Sequence, residues 1–284
     1  YRLAPLITHQ IYLPAQGLAT QTNLDEISRW TDDNLMLLKE SKTNYTVFTR
    51  SRQDFATRLT VNGKFIERQK HVKLLGVWLQ PDGRWEKQVK ELCKTAYTRM
   101  SFLTKLRYAG VKRADLIHNY KQFVRSSLEY CSVAIHSSLT EEQNKALEHC
   151  QAVALRIILQ SEYESYEQAL LLTDLEKLSA IRAARCLDFS LKCIDHDQNS
   201  RFFPRNPNID NAMEVREREE FLVSFARTEQ YRKSTIPACQ RLLNGYFNES
   251  GSAPDAGGTG QGVGARSRAG AGLGEGARAG GRRE

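Results

Sequence analysis

The sequence predicts an α+β protein that is mostly α. A small antiparallel sheet with one helix comes first, and a bundle of helices follows. Three observations carry this reading. Apolar residues recur at three- and four-residue spacings from Trp85 to Leu106, the mark of an amphipathic helix. The pair Asn62-Gly63 stands between two short extended arms, the strongest local signal for a hairpin. Two boxes of the form Thr-x-x-Glu/Gln, "TEEQ" at 140–143 and "TDLE" at 173–176, precede further helical patterns.

Taken in order, residues 1–19 show no clear period and contain Pro5 and Pro14. Leu24, Ile27, Leu35 and Leu38 then predict a helix ending near "KESKTN". The runs at 44–50, 58–67 and 72–79 read as strands, and Pro81, Asp82 and Gly83 make the turn that closes them. The first long helix, from Trp85 to Arg107, ends at Gly110. A second helix spans about 114–130 with Leu116, Tyr120, Phe123, Val124 and Ser127 inward. A third starts at Thr140, a short fourth covers "SYEQALLL", and a fifth runs from the 173–176 box to about Cys193. Beyond "RFFPRNPN" a helix is expected around 213–230.

The last 34 residues differ in kind. Residues 251–284 hold twelve of the eighteen glycines and no aromatic, so they cannot bury enough apolar surface to offset ordering entropy and read as a disordered tail. Without their five arginines and three acids the body keeps 36 basic against 30 acidic residues, a net of +6. A moderate basic excess suits a polyanionic partner. The six cysteines are scattered with no Cys-x-x-Cys pair, which fits a reduced intracellular protein, nuclear or cytoplasmic. No signal peptide is visible, and no apolar run approaches the roughly 18 residues of a membrane span.

Several sets invite a catalytic or metal reading. Asp32 and Asp33 are adjacent, as two-metal chemistry requires of carboxylates, but they fall in or at the start of a helical pattern with Thr31 as a possible N-cap. Adjacent helical residues point about 100° apart and do not converge on one ion. Cys186, Cys193 and His196 fall near one helix face, yet a fourth zinc ligand and a tight Cys-x-x-Cys turn are missing, so core packing is the better reading. Asp195 to Asp197 ("DHD") has no defined partner. No phosphate-binding glycine loop, G-x-S-x-G or H-E-x-x-H occurs. The first long helix instead carries Lys87, Lys90, Lys94 and Lys105 within about 60° of one another, opposite its apolar stripe. Lys112, Arg113, Lys121 and Arg125 extend the basic character. Such a surface is a solvated face or a contact for nucleic-acid phosphates.

At this point the residues resemble a known family. "LDEISRWTDDNLMLLKESKTNYTVF" resembles the helix–turn–strand after the catalytic hairpin of reverse transcriptases from non-LTR (jockey-like, LINE-type) retrotransposons. "KLLGVWLQPDGRWEKQV" is similar to the family's next hairpin, "FVRSSLEYCSVAIHSSLTEEQNKALEHCQAVALRIIL" to its thumb and post-thumb helices, and "CLDFSLKCIDH" to the end of the same reading frame. The resemblance covers residues 16 to about 207. It implies a palm remnant over 1–83, thumb and post-thumb helices over 84–207, an irregular or helical region over 208–250 and the tail over 251–284.

The resemblance also implies roles. Lys42 matches a lysine near the incoming nucleotide's phosphates, where it would assist pyrophosphate departure. Leu75, Gly76 and Val77 match a primer-gripping hairpin, and the helix bearing Lys87, Lys90, Lys94 and Lys105, with Lys112 and Arg113 beyond it, matches the thumb that tracks an RNA–DNA or DNA duplex. One departure is large. The family's Tyr-x-Asp-Asp hairpin belongs just upstream of residue 16, and residues 1–15 contain no acid. The family's asparagine before its Lys-Thr pair is also replaced, by Glu40 or Ser41. The intact enzyme requires magnesium; this chain carries no metal ligands on this reading and should not polymerise DNA alone. The expectation is a fragment of an RNA-directed DNA polymerase, a nucleotidyltransferase by descent, in keeping with an opening Tyr1. The alternative is a non-catalytic helical module for binding nucleic acid or protein.

Overall fold

The computed structural model describes residues 16–48, 58–207 and 219–250. Helix α1 (Gln16–Asp33) begins eight residues before the expected start and stops short of Leu35 and Leu38. It ends in a Schellman turn, with Leu35 left-handed (φ 54°), Met36 N–H donating to Thr31 O at 2.8 Å and Leu35 N–H to Asp32 O at 3.0 Å. Asp32 and Asp33 therefore close the helix and do not open it. A single turn at Glu40–Lys42 leads to β1 (Asn44–Tyr45).

In place of one antiparallel sheet there are, among the described residues, three two-stranded ones. β2 (Thr60–Val61) and β3 (Lys64–Phe65) form the expected hairpin, with positive φ at both Asn62 and Gly63. β4 (Glu67–Arg68) pairs with β1 in parallel, so the sheet is not wholly antiparallel. The predicted single strand at 72–79 is itself a hairpin, β5 (Val72–Leu74) with β6 (Val77–Leu79), turning on Leu75-Gly76. Gln21 docks α1 on β2 through both its amide groups, accepting from Thr60 N–H at 2.9 Å and donating to Thr60 O at 3.0 Å. Leu59, Val61 and Ile66, with Leu24, Leu38 and Tyr45 against them, make a small core under this unit.

The main core belongs to the helices. α2 (Glu86–Tyr108) buries Val89, Leu92, Ala96, Met100 and Leu103 among side chains of α6 (Glu141–Leu159), including Leu147, Cys150, Ala154 and Leu155. Ala96, Leu147, Cys150 and Ala154 are wholly buried, and the small residues among them let the two helices approach closely. Between α2 and α6 lie α3 (Arg113–Asn119), a wide π-turn (Tyr120–Arg125), α4 (Ser126–Leu128) and α5 (Ser132–Ile135). The π-turn changes which side chains face inward. Leu116, Tyr120, Val124 and Leu128 are all buried at a strict spacing of four. An α-helix drifts about 40° at each such step, and the wider turn offsets that drift. Phe123, expected inward from α-helical spacing, is consequently 48% exposed.

Thr140 opens α6 with the predicted capping box, Gln143 N–H on its hydroxyl and the Gln143 side chain on its N–H. The second box does not form. Thr173 is the last residue of α7 (Tyr166–Thr173), its hydroxyl donating back to Ala169 O at 2.6 Å. Helix α8 (Leu178–Ile194) has no side-chain cap of its own. Glu148 of α6 caps it from outside, accepting from Ser179 N–H at 2.7 Å and Leu178 N–H at 3.2 Å. A carboxylate is favoured at those unpaired N–H groups by charge as well as by hydrogen bonding. Tyr166 also donates to Glu148, and Gln151 links Tyr120, Tyr166 and the carbonyl of Glu176.

Two further buried groups complete this polar layer. Arg182 is wholly buried and donates to Asn144 Oδ1 at 2.8 Å. Glu129, 4% exposed, pairs with Arg125 and Arg185. The helix expected around 213–230 lies partly outside the described residues; its described part is not helical over 219–228, where Phe221 bridges to Arg205, and is helical only at 229–230, where a short helix begins. Helical structure comes instead at α9 (Glu229–Arg232) and α10 (Thr235–Ser250), where Cys239, Leu243 and Phe247 pack with Cys193, Phe203 and Phe221 as a second core cluster. The 251–284 tail lies outside the described residues.

Replacing Tyr120 with Phe removes the donor at 2.6 Å from the buried Gln151 Oε1 and is expected to cost about 1–3 kcal/mol in denaturant unfolding. His136 gives a pH signature. Burial first, then the Arg182 charge, hold its imidazole below the usual 6.5, and its Nδ1 is buried with no hydrogen-bond partner. The unfolded chain then binds the proton more readily than the folded one, so stability falls as pH drops below 6.5 and levels off below the folded value. Unfolding midpoints at about pH 7.5 and 5.5 should differ in the wild type and converge in His136→Asn.

Candidate nucleic-acid interface

The exposed side of α2 is built by the same periodicity that builds its buried side. Lys90, Lys94 and Lys105 are exposed, and among the described residues no carboxylate lies in ion-pair range of them. Lys87 differs from the other three. Its ammonium pairs with Glu91 at 3.1 Å and lies 5.0 Å from the ring centre of Trp78, which Lys73 approaches at 5.6 Å from its own strand. The hydrogen bond from Lys87, together with the charges of Lys87, Lys94 and Lys73, keeps the Glu91 carboxyl below its ordinary value. Glu91 thus sits in a positive field. Lys90 and Lys94 also border a groove of about 710 Å³ between α2 and α6, with Cys93 and Tyr97 on the same wall and Gln143 and Ala146 opposite.

The remaining basic positions are less uniform. Lys112 is exposed at the N-cap of α3, with no side-chain hydrogen bond to the helix. Arg113 is tied to Glu162. Lys42 is exposed in the one-turn helix beside β1, in the unit that has its own small core.

At the hairpin of Leu75, Gly76 and Val77 the structure shows what the turn is packed against. Gly76 has φ +86°, and a Cβ there would meet the Tyr130 hydroxyl at 3.0 Å. Tyr130 also donates to the carbonyl of Leu75. Leu75 is 72% exposed, whereas Val77 is buried and cannot touch a ligand directly. The glycine thus admits a tyrosine from the helical body, and Gln88 fixes the other side by accepting from Trp78 N–H at 2.9 Å. Trp78, Gln88 and Tyr130 were not singled out from the sequence. Only their distant partners give them a role.

The metal-like sets separate in space. Asp32 and Asp33 are exposed on successive positions of the last turn of α1, pointing about 100° apart. Cys186 and Cys193 are buried on α8, with burial pushing the Cys186 thiol up to about 11, while His196 is exposed beyond the helix end. Among the described residues no three His, Cys, Asp or Glu side chains gather as a metal group would require. Asp32 and Asp33, pointing apart at the end of α1, do not form the converging carboxylate pair that two magnesium ions of a polymerase would need. No described helix is long and apolar enough to cross a membrane. Comparison with protein-family models, with curated proteins and with solved structures gives no match.

Replacing Gly76 with Ala forces a left-handed residue to carry a Cβ against Tyr130. The expected loss is about 1–2 kcal/mol, with faster proteolysis at the hairpin. Tyr130→Phe should cost less, because it keeps the ring and removes only the hydroxyl.

Proposed function

We propose that the chain is a non-catalytic segment of a reverse transcriptase of the non-LTR retrotransposon type, whose task is to hold an RNA–DNA or DNA duplex by its phosphates. On this reading α1 and the short hairpins are the end of a palm, and α2 with the following helices is a thumb. One observation carries the reading: Lys90, Lys94 and Lys105 form an exposed row, free of ion pairs, on a 23-residue helix whose opposite face is locked into the core. A row of ammonium groups on a rigid rod suits a regular line of phosphates and reads no bases. The order of motifs along residues 16–207 supports the family assignment. The non-catalytic part of the reading is supported by residues 1–15, which hold no acid where the family's Tyr-x-Asp-Asp hairpin belongs, and by the divergence of Asp32 and Asp33.

Binding to a fluorescent RNA–DNA hybrid tests this. The triple variant K90E/K94E/K105E is expected to lose at least about tenfold in affinity at moderate salt, since each lysine releases about one counterion. K87E is expected to lose less, because Lys87 is already paired with Glu91. Affinity unchanged in the triple variant would overturn the proposal. Primer extension with magnesium should give no product above background.

A further inference from the structure

Helices α2 and α6 run parallel: Glu86 and Glu142 share the groove at one end, and Arg107 and Arg156 share a second cleft at the other. That second cleft, about 390 Å³, is lined by Thr104, Arg107, Val153, Arg156, Ile157 and Gln160. Parallel packing is what brings two arginines from the last turns of two helices to one place. One arginine at each helix end is accounted for by the macrodipole, which favours a cation there. Two facing the same cleft also place like charges side by side, a repulsion that a bound anion would offset.

No carboxylate among the described residues pairs with either guanidinium, and Glu162, the acid nearest in sequence to Arg156, is bound to Arg113. Each guanidinium instead lies over a tyrosine ring, Arg107 at 4.3 Å from the centre of Tyr108 and Arg156 at 4.9 Å from that of Tyr163. Stacking covers the flat face of a guanidinium and fixes its plane while its N–H edge remains available.

We propose that this cleft binds a phosphomonoester dianion, with Arg107 and Arg156 each offering a planar pair of N–H donors to its oxygens. Planar two-point recognition of phosphate is what arginine does better than lysine. The cleft volume is within the range of small-ligand sites and admits a nucleotide. The phosphate could come from a free mononucleotide or from the 5′ end of a nucleic-acid strand. Only the second source rests on the function proposed above.

Thermal melting of the full chain with AMP or adenosine tests the cleft alone. AMP is expected to raise the melting temperature and adenosine to leave it unchanged, and R107Q/R156Q should abolish the rise. No rise with AMP, or a rise that survives the substitutions, would overturn the site. If the glutamine variant does not fold, R107K/R156K serves, since lysine keeps the charge and loses the planar edge. A second arm compares a 5′-phosphorylated single strand with its 5′-hydroxyl twin. About tenfold tighter binding of the first, lost in R107Q/R156Q and kept in K90E/K94E/K105E, assigns the strand end as the source. Equal binding of both strands, with the AMP effect intact, assigns a free nucleotide and overturns the strand end. Failure of the hybrid to bind leaves the AMP result standing, so the two proposals fail separately.

Discussion

The burial of one face of α2 against α6 is the constraint on which the rest of the molecule depends. Five apolar side chains from Val89 to Leu103 enter the core, and the wholly buried Ala96 leaves room for the close approach of α6. With that face fixed, the rotation of the helix about its axis is fixed, and so is the direction of Lys90, Lys94 and Lys105. The parallel sense of the pair also decides what meets at each end: two glutamates near the helix starts, and two arginines where the helices stop. A polar surface whose geometry is set by a packed core holds its shape before any ligand arrives, which spares the cost of ordering it on binding.

A second layer of control is polar and buried. Gln151 ties the π-turn, α7 and the segment before α8 together, and Glu148 caps α8 from another helix. Burial, then the Glu148 carboxylate, push the Tyr166 phenol well above its ordinary value and keep it a donor. These groups are costly to bury singly and specific when satisfied together. They select one arrangement of α6, α7 and α8 among those that a greasy interface would permit. The C-terminal segment joins by the same means: Asn244 exchanges two hydrogen bonds with the backbone of Phe221, and Gln240 bonds to Ser224 and Phe202.

What was legible in the sequence was what is local. The stripe of α2, the Asn62-Gly63 turn and the capping box at Thr140 each rest on residues a few positions apart, and each took the expected form. The misreadings come from a distant partner in one case and from local departures from α-helical rules in two others. "TDLE" has the residues of a capping box, but Glu148 occupies the N–H groups the box would serve. Phe123 sits inward on an α-helical wheel, and the π-turn rotates it out to meet Phe102 edge to face at 5.9 Å, under Arg99. Helix α10 was hidden by Pro237 and Gly245, both unfavourable in helix interiors; Pro237 is tolerated because it falls in the first turn, where its missing N–H has no partner to lose. Of the candidate site, the lysine row could be read from periodicity, whereas the pairing of Lys87 with Glu91 and Trp78, and of Gly76 with Tyr130, could not.

The central claim is that three lysines of one helix face act as a phosphate-binding row. The dependence of hybrid affinity on salt tests it most directly, because it counts the counterions released. Three phosphate contacts predict a slope of log K against log salt near −3, and at least about −2 if one lysine is only partly engaged. A slope near zero would contradict the claim, whatever the affinity at a single salt concentration.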